Sequence, residues 1–136
     1  VEVWHEDAAA AEAAIAAVIA EMHRIDALMS VYKPESQLSE VNREAANRPV
    51  EVAPELAGLI SRALGFSELS GGAFDITYAS VGYLYDYRAR ARPSEAEIAA
   101  RLPAVDWRNV EVDANASTVR FTRAGVRIDL GGIAKG

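Results

Sequence analysis

The sequence contains no cysteine, and it has only two histidines. The absence of cysteine excludes a disulfide scaffold, a thiolate nucleophile and a zinc–thiolate site. His5 and His23 are far apart, and neither lies at metal-ligand spacing from another histidine. The sequence therefore argues against a zinc protein and excludes a cysteine-dependent enzyme.

Positive charge and long apolar runs are also scarce. Lysine and arginine total 14 against 20 aspartate and glutamate residues, which gives a net charge of −6 at pH 7. An acidic surface repels phosphate backbones, so we expect no nucleic-acid partner. The one long apolar run, 8–20, is mostly alanine and includes Glu12. A membrane span needs about 20 strongly apolar residues, so we do not expect this run to be one.

Hydrophobic periodicity predicts a long first helix over Ala8–Met29, with Asp7 as its N-cap. Apolar residues recur at helical spacing along it and predict one buried face. The members of this face are Ile15, Val18, Ile19, Met22, Ile25 and Met29. One or two further helical turns are expected over 36–43, with Leu38 and Val41 facing inward.

A second main helix is expected to begin at Pro54 and run to about Ser70, because proline suits the first helical turn. The Gly71–Gly72 pair closes it, as glycine does at helix C-termini. Ser94 and Glu97 form a capping box that starts a third helix to about Leu102.

Apolar and polar residues alternate in the last third of the chain, which predicts a three-stranded antiparallel meander. The alternating pairs are Val110 with Val112, Val119 with Phe121, and Val126 with Ile128. Because helices come first and strands last, we predict the α+β class rather than alternating α/β. A length of 136 residues fits one domain.

The first candidate site is Gly71-Gly72-Ala73-Phe74-Asp75. A double glycine lets the backbone approach a ligand closely, and the carboxylate after it is suited to hold a ligand hydroxyl or a metal. The alternative is a helix C-cap followed by a turn aspartate. Local chemistry alone favours this alternative, because glycine after a helix is a very common stop signal.

The second candidate site is Asp129-Leu-Gly-Gly-Ile-Ala-Lys135-Gly136. Glycines between a strand and a helix leave backbone N–H groups available to phosphate, and Lys135 adds positive charge. The segment is not a P-loop, because Lys135 follows Ala134 and precedes Gly136. An ordinary strand-to-helix turn explains the same residues equally well.

The third candidate is Tyr32 together with Ser36, Ser39 and Asn42. The apolar face and polar hydroxyl of a tyrosine suit stacking on a flat ring. A core tyrosine followed by an ordinary serine N-cap is the alternative, and without further context it is the simpler interpretation.

In this order, the three motifs resemble those of the FAD:protein FMN transferase family (ApbE), formerly called thiamine biosynthesis lipoproteins. The motifs are Ser-x-Tyr with Ser-x-x-Ser-x-x-Asn, Gly-Gly-Ala-Phe-Asp-x-Thr, and Asp-Leu-Gly-Gly-Ile-Ala-Lys-Gly. The resemblance runs the whole length of the chain. It implies a two-lobed fold in which 1–136 is the N-terminal portion of a single FAD-binding domain.

The resemblance also implies an activity: Mg²⁺-dependent transfer of the FMN half of FAD to a Thr or Ser hydroxyl of an acceptor flavoprotein subunit, with release of AMP. By the same resemblance the Gly132 carbonyl ligates Mg²⁺, and the catalytic residues lie beyond Gly136. The residues implied to contact FAD are Tyr32, Ala73, Phe74, Asp75, Asp129 and Lys135.

Relatives also suggest a periplasmic lipoprotein at the inner membrane, held by a lipid anchor outside this chain. The loop after Thr77 departs from many members of the family, because it is rich in tyrosine where they have Pro-Leu and a tryptophan-containing stretch. Two alternatives stay open: an FAD-binding module without transferase activity, and a structural α+β domain whose glycine turns are only turns.

Overall fold

The computed structural model describes residues 1–86 and 88–134. Five α-helices and three short strands form the described fold, with 3-10 helices over 76–78, 102–104 and 107–109. The helices are α1 (Ala8–Met29), α2 (Gln37–Glu44), α3 (Pro54–Leu69), α4 (Ala79–Gly82) and α5 (Glu95–Arg101). The strands are β1 (Val50–Glu51), β2 (Val110–Asp113) and β3 (Thr118–Phe121).

Helix α1 has the predicted bounds, and its N-cap is Asp7, whose carboxylate accepts from the backbone N–H groups of Ala9 and Ala10. The predicted buried face of α1 is wrong, because none of its residues is buried. Val18, Ile19 and Met22 are 46%, 41% and 58% exposed. Only the C-terminal end of the helix approaches the core, where Met29 packs against it.

The core lies between α2, α3 and the sheet. The Ser36 hydroxyl caps α2 by accepting from the Ser39 N–H, and Leu38 and Val41 are fully buried as predicted. Helix α3 begins at Pro54 as predicted and buries an apolar face. Helix α5 begins with the predicted capping box of Ser94 and Glu97.

The glycine turn after α3 is confirmed. Gly71 and Gly72 have φ angles of +62° and +85°, in the left-handed region that favours glycine. The N–H of Gly72 donates to the carbonyl of Ser67 at 2.8 Å, which satisfies one of the free carbonyls at the helix end. The following segment, predicted as a short strand or turn, is a turn that enters the 3-10 helix over 76–78.

The α+β class and the three-stranded antiparallel sheet are confirmed, but the predicted meander is wrong in its third strand. The strand order is β1-β3-β2, so that Val50 of β1 pairs with Val119 of β3. The 126–130 segment, assigned from its alternation, forms no ladder. Its apolar residues are nevertheless buried on alternate positions: Val126, Ile128 and Leu130.

Side chains take the place of a neighbouring strand along 126–130. The amide of Asn42 bonds to both backbone groups of Ile128, and the hydroxyl of Ser80 accepts from the N–H of Arg127. The segment therefore alternates like a strand because one side is buried, while its backbone bonds to helices instead of to the sheet. Within the described residues, no helix is long and apolar enough to cross a membrane.

Candidate functional site

Two of the three candidate motifs meet at one cavity of about 260 Å³, which we call the aspartate cavity. Residues that follow the glycine turn after α3 line part of it, and residues at and just after the end of the 126–130 segment line the rest. The lining residues are Ala73, Phe74, Asp75, Ile76, Tyr78, Asp129 and Gly132. Five residues that the sequence singled out are thus brought together, although 54 positions or more separate the two motifs.

Asp75 is held firmly at the edge of this cavity. Its Oδ1 accepts from the N–H of Thr77 at 2.8 Å and from the Thr77 hydroxyl at 2.6 Å. Its Oδ2 accepts from the backbone N–H of Trp107 at 3.0 Å. The side chain therefore caps the 3-10 helix over 76–78 and ties it to a distant segment. The turn-aspartate interpretation is confirmed for this residue, which also lines the aspartate cavity.

Asp129 lines the same cavity as Asp75. Its N–H donates to the carbonyl of Ile76 at 3.1 Å, which joins the segments directly. Its Oδ1 accepts from the N–H of Gly131 at 2.6 Å. Its Oδ2 accepts no hydrogen bond from the described residues, so it is the carboxylate oxygen at this cavity that is left for a ligand.

The segment after Leu130 is a turn, closed by a bond from the Ala134 N–H to the Leu130 carbonyl at 2.7 Å. A Cβ on Gly131 would lie 3.0 Å from the Asp129 carboxylate, whereas one on Gly132 would lie 3.4 Å from the Phe74 ring. Gly131 is therefore the position with the tighter approach. Lys135, predicted to lie at the cofactor, falls outside the described residues.

A second cleft of about 310 Å³, the tyrosine cleft, adjoins the aspartate cavity and shares Tyr78 and Asp129 with it. Tyr32 lies at this second cleft and is 91% exposed, so its ring is available to a ligand. The lining residues are Val31, Tyr32, Asn42, Tyr78, Ala79, Gly82, Tyr83, Tyr85, Arg127, Ile128 and Asp129. The third candidate motif is thereby placed beside the other two.

Sequence inspection missed Arg127 and Tyr83 as site residues. The guanidinium carbon of Arg127 lies 4.5 Å from the centroid of the Tyr83 ring, and that of Arg101 lies 5.9 Å from it. Such cation–π contacts fix the direction of both partners. Arg127 stands two positions before Asp129 in an extended segment, a spacing that puts both side chains on one face. This spacing of two residues was the sequence signal that could have placed Arg127 beside Asp129.

An apolar cavity of about 430 Å³ shares Phe74 and Gly132 with the aspartate cavity. It is lined by Phe66, Leu69, Ser70, Phe74, Gly132 and Ile133. The rings of Phe66 and Phe74 meet edge to face, with centroids 6.4 Å apart and planes at 81°. Phe74 thus lines both an apolar cavity and the cavity that contains Asp75 and Asp129.

Comparison with known proteins identifies the family. The ApbE family model matches residues 1–136. The FAD:protein FMN transferase of Treponema pallidum is 33% identical over 136 residues, which cover 95% of this chain and 38% of that protein. The FAD:protein FMN transferase of Haemophilus influenzae is 29% identical over 119 residues, which cover 82% of this chain and 34% of that protein. The chain thus spans well under half of either relative.

Solved structures agree with the fold. The crystal structure of the ApbE protein from Thermotoga maritima superposes with a TM-score of 0.80 at 36% identity, covering 90% of this chain and 40% of that one. A mutant of the flavin transferase ApbE from Vibrio cholerae has a TM-score of 0.83 and covers 98% of this chain and 46% of that one. At 20% identity, the second likeness supports the fold alone. Because the family model matches every residue, from Val1 to Gly136, this chain belongs to the ApbE family.

Proposed function

We propose that this chain is the N-terminal, FAD-binding portion of an enzyme that transfers FMN from FAD to a protein hydroxyl. One observation carries the proposal: residues from three separated motifs line two adjoining cavities that share Tyr78 and Asp129. FAD is a long ligand with a flat ring system at one end and a pyrophosphate in its middle. A tyrosine-lined cleft beside a cavity with two aspartates offers a suitable surface for each of these parts.

The tyrosine cleft is suited to the flavin ring. Tyr32 presents an exposed ring to the cleft, and Tyr78 and Tyr83 line the same cleft. Aromatic side chains bind flat ring systems by offset stacking, and a tyrosine hydroxyl adds a polar handle. Arg127 brings positive charge to the same cleft. In a chain of net charge −6, this local cation favours an anionic ligand.

The aspartate cavity is suited to a Mg²⁺ ion shared with a phosphate. Mg²⁺ is usually bound by one or two carboxylates together with water and substrate phosphates. The described residues include no group of three or more His, Cys, Asp or Glu side chains that would hold a metal without a substrate. The backbone carbonyl of Gly132 is the ligand that the family resemblance implies. We add Asp129 as a proposed ligand, because its Oδ2 has no donor among the described residues.

The proposed reaction is a phosphoryl-group transfer. The acceptor hydroxyl oxygen forms a bond to the phosphorus of the FMN half, the bond from that phosphorus to the bridging oxygen breaks, and AMP leaves with the bridging oxygen. The hydroxyl proton passes to a base that we place beyond Gly136. When bound, Mg²⁺ neutralises charge that develops on the pyrophosphate oxygens. The residues of this chain bind FAD and orient its pyrophosphate for in-line attack.

The acceptor is proposed to be a flavoprotein subunit that presents a Thr or Ser target. By family resemblance we place the reaction in the periplasm, with the enzyme held at the inner membrane by a lipid anchor outside this chain. Cell fractionation followed by mass measurement of the mature N-terminus tests this location. Full-length protein recovered from the cytosol with an unmodified N-terminus would refute it.

An FAD-binding module without transferase activity is the second candidate. The hydrogen bonds of the Asp75 carboxylate suit this role: it accepts from the Thr77 N–H and hydroxyl and from the Trp107 N–H, so it holds the cavity together and is not poised to take up a proton. The two candidates differ in covalent transfer and agree on FAD binding.

The deciding experiment uses the full-length protein, FAD and an acceptor protein with a Thr target. FAD binding is measured by quenching of flavin fluorescence, and transfer is measured as in-gel fluorescence of the acceptor after denaturation. We expect covalent flavin on the acceptor with Mg²⁺ and none with excess chelator. FAD binding without covalent flavin supports the binding module, and absence of FAD binding refutes both.

A further inference from the structure

Helix α2 presents three polar side chains at a spacing of three residues: Ser36, Ser39 and Asn42. Side chains three apart on a helix lie on one face. Ser36 is fully buried and Ser39 is 8% exposed, so this polar face points into the molecule. The proposed function gives these residues no individual role, although Asn42 lines the tyrosine cleft and two walls of that cleft are bonded to the three side chains.

The two serines hold the wall that carries Tyr32. The hydroxyls of Ser36 and Ser39 donate to the backbone carbonyl of Ser30, at 2.5 Å and 3.2 Å. Ser30 is the C-cap of α1 and lies two residues before Tyr32. The end of α1 is therefore bonded to the first turn of α2, which fixes the start of the loop that presents the tyrosine.

Asn42 holds a second part of the cleft lining, the one that contains Ile128 and Asp129. Its Nδ2 donates to the carbonyl of Ile128 at 3.0 Å, and its Oδ1 accepts from the N–H of the same residue at 2.8 Å. One amide group thus satisfies both backbone groups of a fully buried residue, as a neighbouring strand would. The next residue is Asp129, which lines both cavities.

We infer that Asn42 is a positioning residue for FAD binding: through Ile128 it fixes Asp129 relative to the Tyr32 wall of the cleft. Only a side-chain amide offers a donor and an acceptor in one plane at this length. Precise placement of ligand groups depends on such supporting hydrogen bonds. The inference rests on the proposed function for its ligand, but the bond to Ile128 can be tested without any ligand.

The test compares Asn42→Leu with Gln37→Met in the full-length protein. Gln37 is a matched control, because it lies on the same helix and its Oε1 accepts from the backbone N–H of Ala53 at 2.7 Å, away from both cavities. Each variant exchanges an amide for an apolar group of similar size. Urea unfolding gives the stability of each variant, and hydrogen exchange gives the protection of the Ile128 amide.

We expect both variants to lose stability, but only Asn42→Leu to lose protection at Ile128. We also expect only Asn42→Leu to raise the Kd for FAD, by about tenfold. If Asn42→Leu does not fold, Asn42→Asp replaces it, since this change keeps the acceptor for the Ile128 N–H and removes the donor to its carbonyl. Asn42→Asp is then expected to raise the Kd less than tenfold but measurably.

Two results would overturn the inference. The first is unchanged protection of Ile128 in Asn42→Leu, and the second is unchanged FAD affinity in the Asn42 variant. Asn42→Asp keeps the acceptor for the Ile128 N–H, so for that variant the affinity alone decides. A rise in Kd of equal size in Gln37→Met would also overturn it, because general destabilisation would then explain the effect. If the unmodified protein binds no FAD, the proposed function fails, and the exchange measurement still decides whether Asn42 holds Ile128.

Discussion

Asp75 bonds to the backbone of Trp107, which lies 32 positions further along the chain: its Oδ2 accepts from the Trp107 N–H at 3.0 Å. The same carboxylate caps the 3-10 helix that begins at Ile76. One side chain therefore joins the glycine turn after α3 to the segment that leads into β2. Asp75 supports the aspartate cavity as well as lining it.

Replacing Asp75 with alanine is expected to lower both stability and FAD affinity. The lost cap and the lost bond to Trp107 should cost about 2–3 kcal/mol of unfolding free energy. Asp106→Ala is the control, because Asp106 caps the neighbouring 3-10 helix through Arg108 and lines neither cavity. We expect Asp106→Ala to cost about 1 kcal/mol and to leave the Kd for FAD unchanged.

Urea unfolding and FAD fluorescence titration measure the two effects separately. If Asp75→Ala lowers stability as expected but binds FAD with unchanged affinity, Asp75 has a structural role alone. The prediction that it contacts FAD would then be wrong.

The glycine turn gives a second prediction. Gly72 has φ +85°, and a Cβ there would meet nothing closer than 3.9 Å, so the cost of Gly72→Ala comes from backbone conformation. We expect a loss of about 1–2 kcal/mol. Gly65→Ala is the matched control in the interior of α3, where a Cβ meets nothing within 4 Å. That change should stabilise the protein by about 0.5–1 kcal/mol.

Thermal or urea unfolding of both variants checks that Gly72→Ala lowers the stability and that Gly65→Ala raises it. Equal effects from the two substitutions would show that Gly72 does not hold a left-handed conformation in solution.

Helix starts could be predicted from the sequence because the signals are local. Asp7, Ser36 and Ser94 each bond to a backbone N–H two or three residues ahead, so the chemistry that starts the helix lies within one turn. The end of α3 was predictable for the same reason, since Gly71 and Gly72 adopt the conformation that glycine alone adopts easily.

Features that depend on distant partners were not predictable. The 126–130 segment has the alternation of a strand, but the amide of Asn42 and the hydroxyl of Ser80 occupy its backbone groups, and β1 occupies the available edge of β3. Likewise, the apolar spacing of α1 was correct, while its burial depends on what packs against it. Periodicity reports which face is apolar and does not report what covers it.

Individual residues of the candidate site could be predicted, but their arrangement in space could not. Resemblance supplied Tyr32, Asp75 and Asp129, and nothing in their spacing places them in two adjoining cavities. The contact of Arg127 with Tyr83 joins the 126–130 segment to the tyrosine-rich loop. This pairing involves a loop that departs from the family pattern, so the resemblance could not have indicated it.

The two glycines after Leu130 give a third prediction. A Cβ on Gly131 would lie 3.0 Å from Oδ1 of Asp129 and disturb the bond between that oxygen and the Gly131 N–H. We therefore expect Gly131→Ala to weaken FAD binding by about tenfold, which corresponds to the loss of about one hydrogen bond.

Gly132→Ala provides the comparison. Its Cβ would lie 3.4 Å from the edge of the Phe74 ring, which can shift by a few tenths of an ångström. We expect a change in Kd of less than about threefold, since no hydrogen bond is lost. FAD titration of both variants checks the order. If Gly132→Ala weakens FAD binding more than Gly131→Ala does, the bond between Asp129 and Gly131 does not determine the affinity for FAD.

The last prediction concerns acid stability. Arg24 on α1 bonds to Glu21 at 2.7 Å and to Glu55 at the start of α3 at 2.6 Å. These hydrogen bonds hold the pKa values of both glutamates below their ordinary value of 4.5. A carboxyl whose pKa is lower in the folded state stabilises the fold above its unfolded pKa, and this contribution is lost as the pH falls.

We therefore expect the unmodified protein to lose more stability between pH 6 and pH 3 than Arg24→Met does. The difference should be small and should shrink at high salt, because these side chains are about half exposed and water and ions screen them. Arg62→Met is the control: Arg62 is an exposed cation of α3 that forms no ion pair with the described residues. Urea midpoints measured across this pH range at low and high salt check the prediction. Each variant has lost one positive charge, but only Arg24 bonds α1 to α3. An acid-induced loss of stability in Arg24→Met as large as that in Arg62→Met would therefore show that the Glu21–Arg24–Glu55 bridge contributes nothing to acid stability.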